Sequence, residues 1–410
     1  MTVSRSDFAR LLREYPPFRR LLLADLVTQV GEGSLIVAFP MLLLEATRDV
    51  TLTGLAFSGE ILAFGLVSPL AGVWADRMNQ KGLMIGANLV RALLLVGLLV
   101  LLERTRSLAA CMALSTLLGA VGAFFTPARS AFLRRLLRGG DLECALAAEG
   151  TMGFLIRLVA PAVVGALLVH LPAASAIWLD LATYLVGAAL LAPAWVTGPA
   201  LERPSRARAG EWREGWRVVL GSPVLGRLLA MDFLLTVLGM AAWATTVAWL
   251  DLVLHRSVAE NGWLMAVTGL AGTVGTRLVG YVPRSQGLYA FLAGVFSASY
   301  LLVPATDSLP GLLVLWFVRG AALGAFAVAL QQQIARETPA EVMGRVQAAW
   351  GLAGCLAAFL GTLLTPGLLR TAGAAGAFYA FGLAMALVAA WLAFSRIPVR
   401  EAPPEGAVEA

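Results

Sequence analysis

The sequence predicts an all-α integral membrane protein of about twelve transmembrane helices, arranged as two six-helix, pseudo-symmetric bundles. Three observations carry that expectation. Of 410 residues, 59% are hydrophobic and only 14% charged, with a mean hydropathy of +0.80; a soluble domain holds nearer a quarter charged residues, because its surface faces water. Apolar runs of roughly 20 residues, the length that crosses a hydrocarbon core, recur from end to end. Short motifs return at an offset of about 200–205 residues, as a duplicated six-helix unit would give.

In chain order, the opening MTVSRSDFARLLREYPPF is charged and lacks an apolar core with a small-residue cleavage site, so it is expected to be a cytoplasmic amphipathic lead-in and not a signal peptide. Six apolar spans follow, at about 19–44, 52–75, 83–102, 108–127, 146–170 and 174–196. Residues 197–218, TGPALERPSRARAGEWREGWRV, are Pro- and Arg-rich and too polar to span; they read as a cytoplasmic linker between the halves. The second set lies at about 224–250, 258–281, 287–304, 310–334, 342–369 and 373–395, and the tail 401–410 reads as disordered. The units are thus an N-terminal bundle, 1–196, and a C-terminal bundle, 219–400.

Arginine sets the orientation. With the N-terminus inside, the inner segments hold roughly 22 Lys and Arg, among them Arg19, Arg20, Arg129, Arg134 and Arg135, against 5 outside (Arg48, Arg104, Arg106, Arg256 and Arg370). That bias places both termini in the cytoplasm and makes the cytoplasmic (inner) membrane the expected location. It also disposes of nucleic acid as a partner: the net charge of +6 and pI near 9.7 come from short inter-span segments and not from a continuous basic face. Cys111, Cys144 and Cys355 are scattered, without metal-ligand spacing.

The halves echo each other. Lys81-Gly82-Leu83 heads the third span and Gln286-Gly287-Leu288 the ninth; Gly140-Asp141-Leu142 precedes the fifth and Ala340-Glu341-Val342 the eleventh. Parallel repeats around a central cavity are a common transporter layout. After the second span the chain reads Gly72-Val-Trp-Ala-Asp76-Arg77-Met-Asn-Gln-Lys81-Gly82. This resembles the signature loop of the major facilitator superfamily, with Gln80 in the first of two usual basic positions. The resemblance implies a conformational latch built from Gly72, Asp76, Arg77 and Lys81: glycine for close helix approach, and aspartate to accept bonds from a helix N-terminus and pair with a cation. In the second half the matching stretch, Gly280-Tyr-Val-Pro-Arg284-Ser, lacks the acid.

Further motifs are similar to the same superfamily over nearly the whole chain: Phe125-Thr-Pro127-Ala128-Arg129, Trp178-Leu-Asp180-Leu-Ala-Thr-Tyr184, and Thr338-Pro339-Ala-Glu341-Val-Met-Gly344-Arg345-Val346. Together they resemble the bacterial branch that holds enterobactin exporters and macrolide efflux pumps. One departure concerns the fifth span, where drug/proton antiporters of the superfamily carry a Gly-Pro motif. Here the stretch is Arg157-Leu-Val-Ala160-Pro161-Ala-Val-Val-Gly165, with alanine before the proline.

Ionisable groups inside spans cost at least about 2.5–3.5 kcal/mol each on insertion scales, so each asks for a partner or a function. Asp25, Gln29 and Glu32 are spaced by four and then three residues, which puts them on one face of the first span. Glu32 is the leading proton-coupling candidate, because an apolar surround favours the neutral carboxyl form. Asp25 reads as a relay or a water-exposed rim group, and Glu60 of the second span is the second candidate. Arg157 is expected to pair with one of these carboxylates, either as part of the coupling or as a structural ion pair. Arg91 reads as support for the signature loop or as a snorkelling cation, and Asp180 and Asp232 as span-end groups near water. Arg319 is a candidate cavity cation. Trp243 and Trp249 are candidate stacking platforms for a planar or cationic cargo, with interface placement or packing as the alternative.

His170 and His255 both fall near outer span ends, so no catalytic triad or metal cluster is expected. With no phosphate-cradling loop, the driving force is expected to be an ion gradient, and no cofactor is implied. The expected function is secondary active transport, foremost proton-coupled efflux of an amphipathic small molecule such as a drug, macrolide or siderophore. Its expected partners are that cargo, protons and the lipid bilayer, with the chain a monomer. The alternatives are a lysophospholipid transporter, suggested by Lys81-Gly-Leu-Met-Ile-Gly-Ala-Asn88 and Gly31-Glu32, a nutrient importer, and a non-transporting scaffold or sensor. A membrane-embedded enzyme is the reading the sequence supports least.

Overall fold

The computed structural model describes residues 5–47, 50–104, 107–142, 144–146, 149, 152, 156, 160, 171–172, 174–193, 211–256, 260–278, 286–339 and 342–394. Thirteen helices are assigned among them: α1 (Arg5–Glu14), α2 (Pro16–Thr47), α3 (Val50–Arg77), α4 (Gln80–Arg104), α5 (Leu108–Gly122), α6 (Phe125–Leu136), α7 (Ala174–Leu191), α8 (Glu211–Gly221), α9 (Pro223–Leu252), α10 (Asn261–Leu278), α11 (Gln286–Leu302), α12 (Leu309–Glu337) and α13 (Met343–Phe394). A single 3₁₀ turn, Val303–Ala305, follows α11. Seven segments are long and apolar enough to cross a membrane among the described residues, and most of the fifth expected span lies outside them.

Helix ends follow local chemistry. Ser222 and Ser308 cap α9 and α12, each hydroxyl accepting the backbone N–H three residues on at 3.3 Å, with proline in the first turn of each helix. The fourth expected span is broken into α5 and α6 at Ala123–Phe124. Pro127 explains the break: its ring would meet the carbonyl four residues back, that of Ala123, and it has no N–H to give. α13, with 52 residues, is far longer than one span needs. Gly373, at φ 69°, divides it; that left-handed conformation suits a residue without Cβ.

Two bodies of side chains form the interior. Helices α1 to α7 share two apolar cores, one around Phe18, Met84 and Phe132, the other around Phe39, Leu95 and Tyr184. Helices α8 to α13 share a single core around Leu228, Trp316, Phe326 and Phe378. In the first body α2 and α4 pack on α7, and α3 packs on α5; in the second α10 packs on α12, and α9 and α11 pack on α13. Bare backbone allows the closest of these contacts. A Cβ at Gly320 or Gly324 of α12 would overlap the backbone of Thr268 or Gly272 in α10, the small-residue packing used where lipid removes the hydrophobic drive between helices. Outward faces are apolar, with Leu70, Leu93, Phe291, Leu387 and Phe394 exposed. Such surface is a liability in water and ordinary in lipid.

The two bodies meet where α3 packs on α13. The Ser58 and Thr362 hydroxyls are hydrogen-bonded there. Thr362 also lies within hydrogen-bond distance of the carbonyls of Ala358 and Phe359 behind it. Gly65 sits against Cys355 on the same seam. Within the stretch expected to be an unspanning linker, the described part is α8, too short to cross a bilayer. It packs on the start of α13, with Glu214 2.8 Å from Arg345 and Gly215 against the Arg345 backbone. The amphipathic α1 is tied down likewise: Leu11 is buried, and Arg10 and Tyr15 both donate to Asp141, at 2.5 Å and 3.3 Å.

Candidate functional site

The helical spacing of α2 brings Asp25, Gln29 and Glu32 to one wall of a cavity of about 330 Å³ in the first body. Glu60 from α3, Asn88 and Arg91 from α4, Arg129 from α6 and Tyr184 from α7 add to its polar lining, with Thr28 and Thr126. Charges here are organised around two arginines. Arg91 donates to Glu32 Oε1 at 2.7 Å, and its guanidinium lies 4.3 Å from the centre of the Tyr184 ring. Arg129 donates to Asp25 Oδ2 at 2.6 Å and stands 3.7 Å from Glu149. Gln29 donates to the same Asp25 oxygen at 2.7 Å, its partner one turn back. Glu60 lines the cavity and joins no ion pair among the described residues.

Several residues stand elsewhere than the sequence suggests. Asp25 is buried and paired with Arg129, which excludes the water-exposed rim reading. Arg91 holds Glu32 and does not support the signature loop. Asp180 is fully buried instead of lying near water: Gly31 of α2 packs directly on it, Thr183 donates to its Oδ1 at 3.4 Å, and Oδ2 has no hydrogen-bond partner among the described residues. Arg157, the cation expected to serve this cavity, lies outside the described residues. Arg129 and Glu149 were not singled out from the sequence. The available signal was that Arg129 follows Pro127 at a helix start, and that Glu149 falls in an apolar run.

The latch residues gather at the junction of α3 and α4. Asp76 is in the last turn of α3, its side chain outside the described set, and Arg77 beside it is exposed. An added Cβ on Gly72 would meet nothing within 4 Å, so no close helix approach occurs at that position. Lys81 donates to the Ala192 carbonyl beyond α7. Gln80, where a basic residue is usual, is buried; it donates to the Ala75 carbonyl at 2.9 Å and accepts from Arg135 of α6. A neutral amide does here what a cation could not, since it both gives and accepts. These contacts all lie within the first body.

The second body encloses a larger cavity, of about 670 Å³, between α9, α10, α11, α12 and α13. Its lining is largely aromatic and aliphatic: Trp243, Phe296, Tyr300, Trp316 and Trp350 all face it, as do Arg319 and Asp232. Asp232 Oδ2 accepts the Trp350 indole N–H at 2.6 Å. Arg319 donates to the Tyr300 hydroxyl at 3.2 Å and lies 4.6 Å from the Trp316 ring centre. The structure therefore brings Arg319 and Trp243 together in one cavity and Asp25, Gln29, Glu32 and Glu60 together in the other. Among the described residues no group of acids, histidines and cysteines is arranged to hold a metal.

Comparison with known proteins adds the following. The family model described as Major Facilitator Superfamily matches residues 21–361, and again 254–410. The multidrug efflux pump Tap of Mycolicibacterium fortuitum is 24% identical over 390 residues, covering 91% of this chain and 94% of Tap. The enterobactin exporter EntS of Shigella boydii serotype 4 is 27% identical over 421 residues, covering 96% of each chain. Among solved structures, the nucleoside transporter NupG superposes with a TM-score of 0.75 at 11% identity, over 92% of this chain and 98% of that one. An auto-inhibited POT family peptide transporter does so with a TM-score of 0.75 at 11% identity, over 95% and 99%. At such identities the structural likeness speaks for the fold alone.

Proposed function

This chain belongs to the Major Facilitator Superfamily, and on that premise we propose that it exports an amphipathic small molecule in exchange for protons by alternating access. The two moving bodies are residues 1–196 and 219–400, in a cytoplasmic membrane with both termini inside, as the arginine distribution favours. The observation that carries the coupling is the placement of Glu32 and Glu60 on one cavity, where Arg91 is paired with Glu32 and Glu60 joins no ion pair among the described residues. A proton arriving on Glu32 neutralises the charge that holds Arg91, and the guanidinium is then free to serve Glu60. One side chain thus reports the protonation state of the cavity to α2, α3 and α4 together. Efflux as the direction rests on the named functions of the efflux and export relatives. The chain's composition and the named relatives point to a transporter and give no reason to assign it catalysis.

The test is proton movement in inside-out vesicles carrying a pH-sensitive dye, with macrolides, cationic dyes, siderophores and lysophospholipids added in turn. Cargo-triggered proton release that disappears in Glu32→Gln supports antiport at this site. A Glu32→Gln protein that is inserted, folded and pumps at full rate removes Glu32 from the coupling. Release by lysophospholipids alone would turn the reading to lipid transport.

A further inference from the structure

Arg319 is nine-tenths buried in α12, and no carboxylate pairs with it among the described residues. Among the described residues its guanidinium is held by aromatic groups, the Tyr300 hydroxyl at 3.2 Å, the Trp316 ring at 4.6 Å and the Tyr300 ring at 5.6 Å, and Nε has no hydrogen-bond partner among them. Cation–π contacts recover part of the cost of taking a guanidinium out of water, and Arg319, which lines the cavity, has donors beyond the one given to Tyr300. Asp232, the acid of the same cavity, is occupied by the Trp350 indole. A buried fork of donors without an anion is a binding element for an anion, because carboxylate, sulfonate and phosphate oxygens match guanidinium geometry in pairs. The rest of the wall is aromatic, and the cavity volume of about 670 Å³ falls in the range of small-molecule sites.

We propose that the cavity of the second body binds the anionic group of an aromatic, amphipathic cargo at Arg319, with the ring system between Trp243 and Trp316. The proposal rests on the transport reading above and narrows its cargo from amphipathic compounds in general to aromatic anions. Charge is thereby divided between the bodies: protons titrate the first, and the cargo brings its own negative charge to the second. A cationic drug gains stacking from these rings but meets Arg319 as a like charge.

The test is equilibrium binding to the full chain in nanodiscs without any gradient, read by tryptophan quenching and corrected for empty nanodiscs. Three probes share one ring and differ only in charge: naphthylacetate, naphthylethanol and naphthylethylamine. The acid is expected to bind at least tenfold tighter than the alcohol or the amine. Arg319→Gln is expected to remove that preference and Arg319→Lys to keep part of it, a point charge replacing a fork. An amine or alcohol that binds the unaltered protein as tightly as the acid overturns the proposal, and so does a folded Arg319→Gln protein that keeps the preference. Should that variant not fold, the ranking on the unaltered protein decides alone. The Glu32→Gln protein is expected to retain the acid preference, so a failure of proton coupling and a failure of this site give different results.

Discussion

The two cavities of this protein hold charge in opposite ways. In the first body, among the described residues, Asp25, Glu32 and Glu149 are ion-paired with two arginines, Arg91 and Arg129, with Glu60 on the same cavity and Asp180 buried against Gly31. In the second a lone buried arginine is surrounded by rings. In the first arrangement both arginines are tied to carboxylates, so that removing Arg91 or Arg129 leaves an acid without its opposite charge. In the second no carboxylate is ion-paired with Arg319 among the described residues, and Asp232 of the same cavity accepts from the Trp350 indole instead. A network rich in acids is suited to taking up and losing protons, and an aromatic pocket with one cation is suited to receiving an anion.

Arginine removal breaks or sharpens that contrast most directly. Arg129→Gln strands two carboxylates whose side chains are only 5% exposed, and breaking such a buried pair is expected to cost about 3–5 kcal/mol. Arg319→Gln strands no acid and is expected to leave thermal unfolding in detergent close to that of the unaltered protein. Equal losses in both would abolish the distinction. Next in size, Glu60→Gln is expected to reduce cargo-driven proton release at least tenfold with folding intact, whereas Asp232→Asn in the other cavity should slow it only a few-fold. A smaller effect is expected at the α2–α7 contact: Gly31→Ala forces a methyl against Asp180 and Thr183, costing about 1–3 kcal/mol by overpacking. Smallest is Glu214→Gln at the exposed pair with Arg345, side chains 44% and 35% exposed, where a shift within about 1 kcal/mol is expected.

What the sequence made legible was whatever is local. Asp25, Gln29 and Glu32 share a wall because helical periodicity puts them there, and the apolar runs become helices because lipid leaves the backbone no other partner. The division near residue 373 coincides with a Gly that only the structure shows to be left-handed. The partners of the charged wall were not legible. Arg91 reaches Glu32 across 59 positions and Arg129 reaches Asp25 from a helix whose start is displaced by Pro127. No periodicity relates those pairs, so the sequence pointed to Arg157, which lies outside the described residues, and did not point to Arg91 as the partner of Glu32. Burial of Asp180 was equally hidden, because depth along α7 says nothing about the Gly31 backbone that covers it.

The hydroxyl seam between Ser58 and Thr362 has a consequence for how long the molecule dwells in this shape. A hydroxyl released from such a bond is re-bonded by water at once, so its net worth is about 1 kcal/mol. That corresponds to roughly a five-fold population ratio at ambient temperature. At this point the bodies are fastened by something like a door catch and not a bolt, so Ser58 and Thr362 by themselves leave the closed and parted arrangements within reach of ordinary thermal agitation, and a bound proton or cargo needs to tilt the balance only slightly at this point.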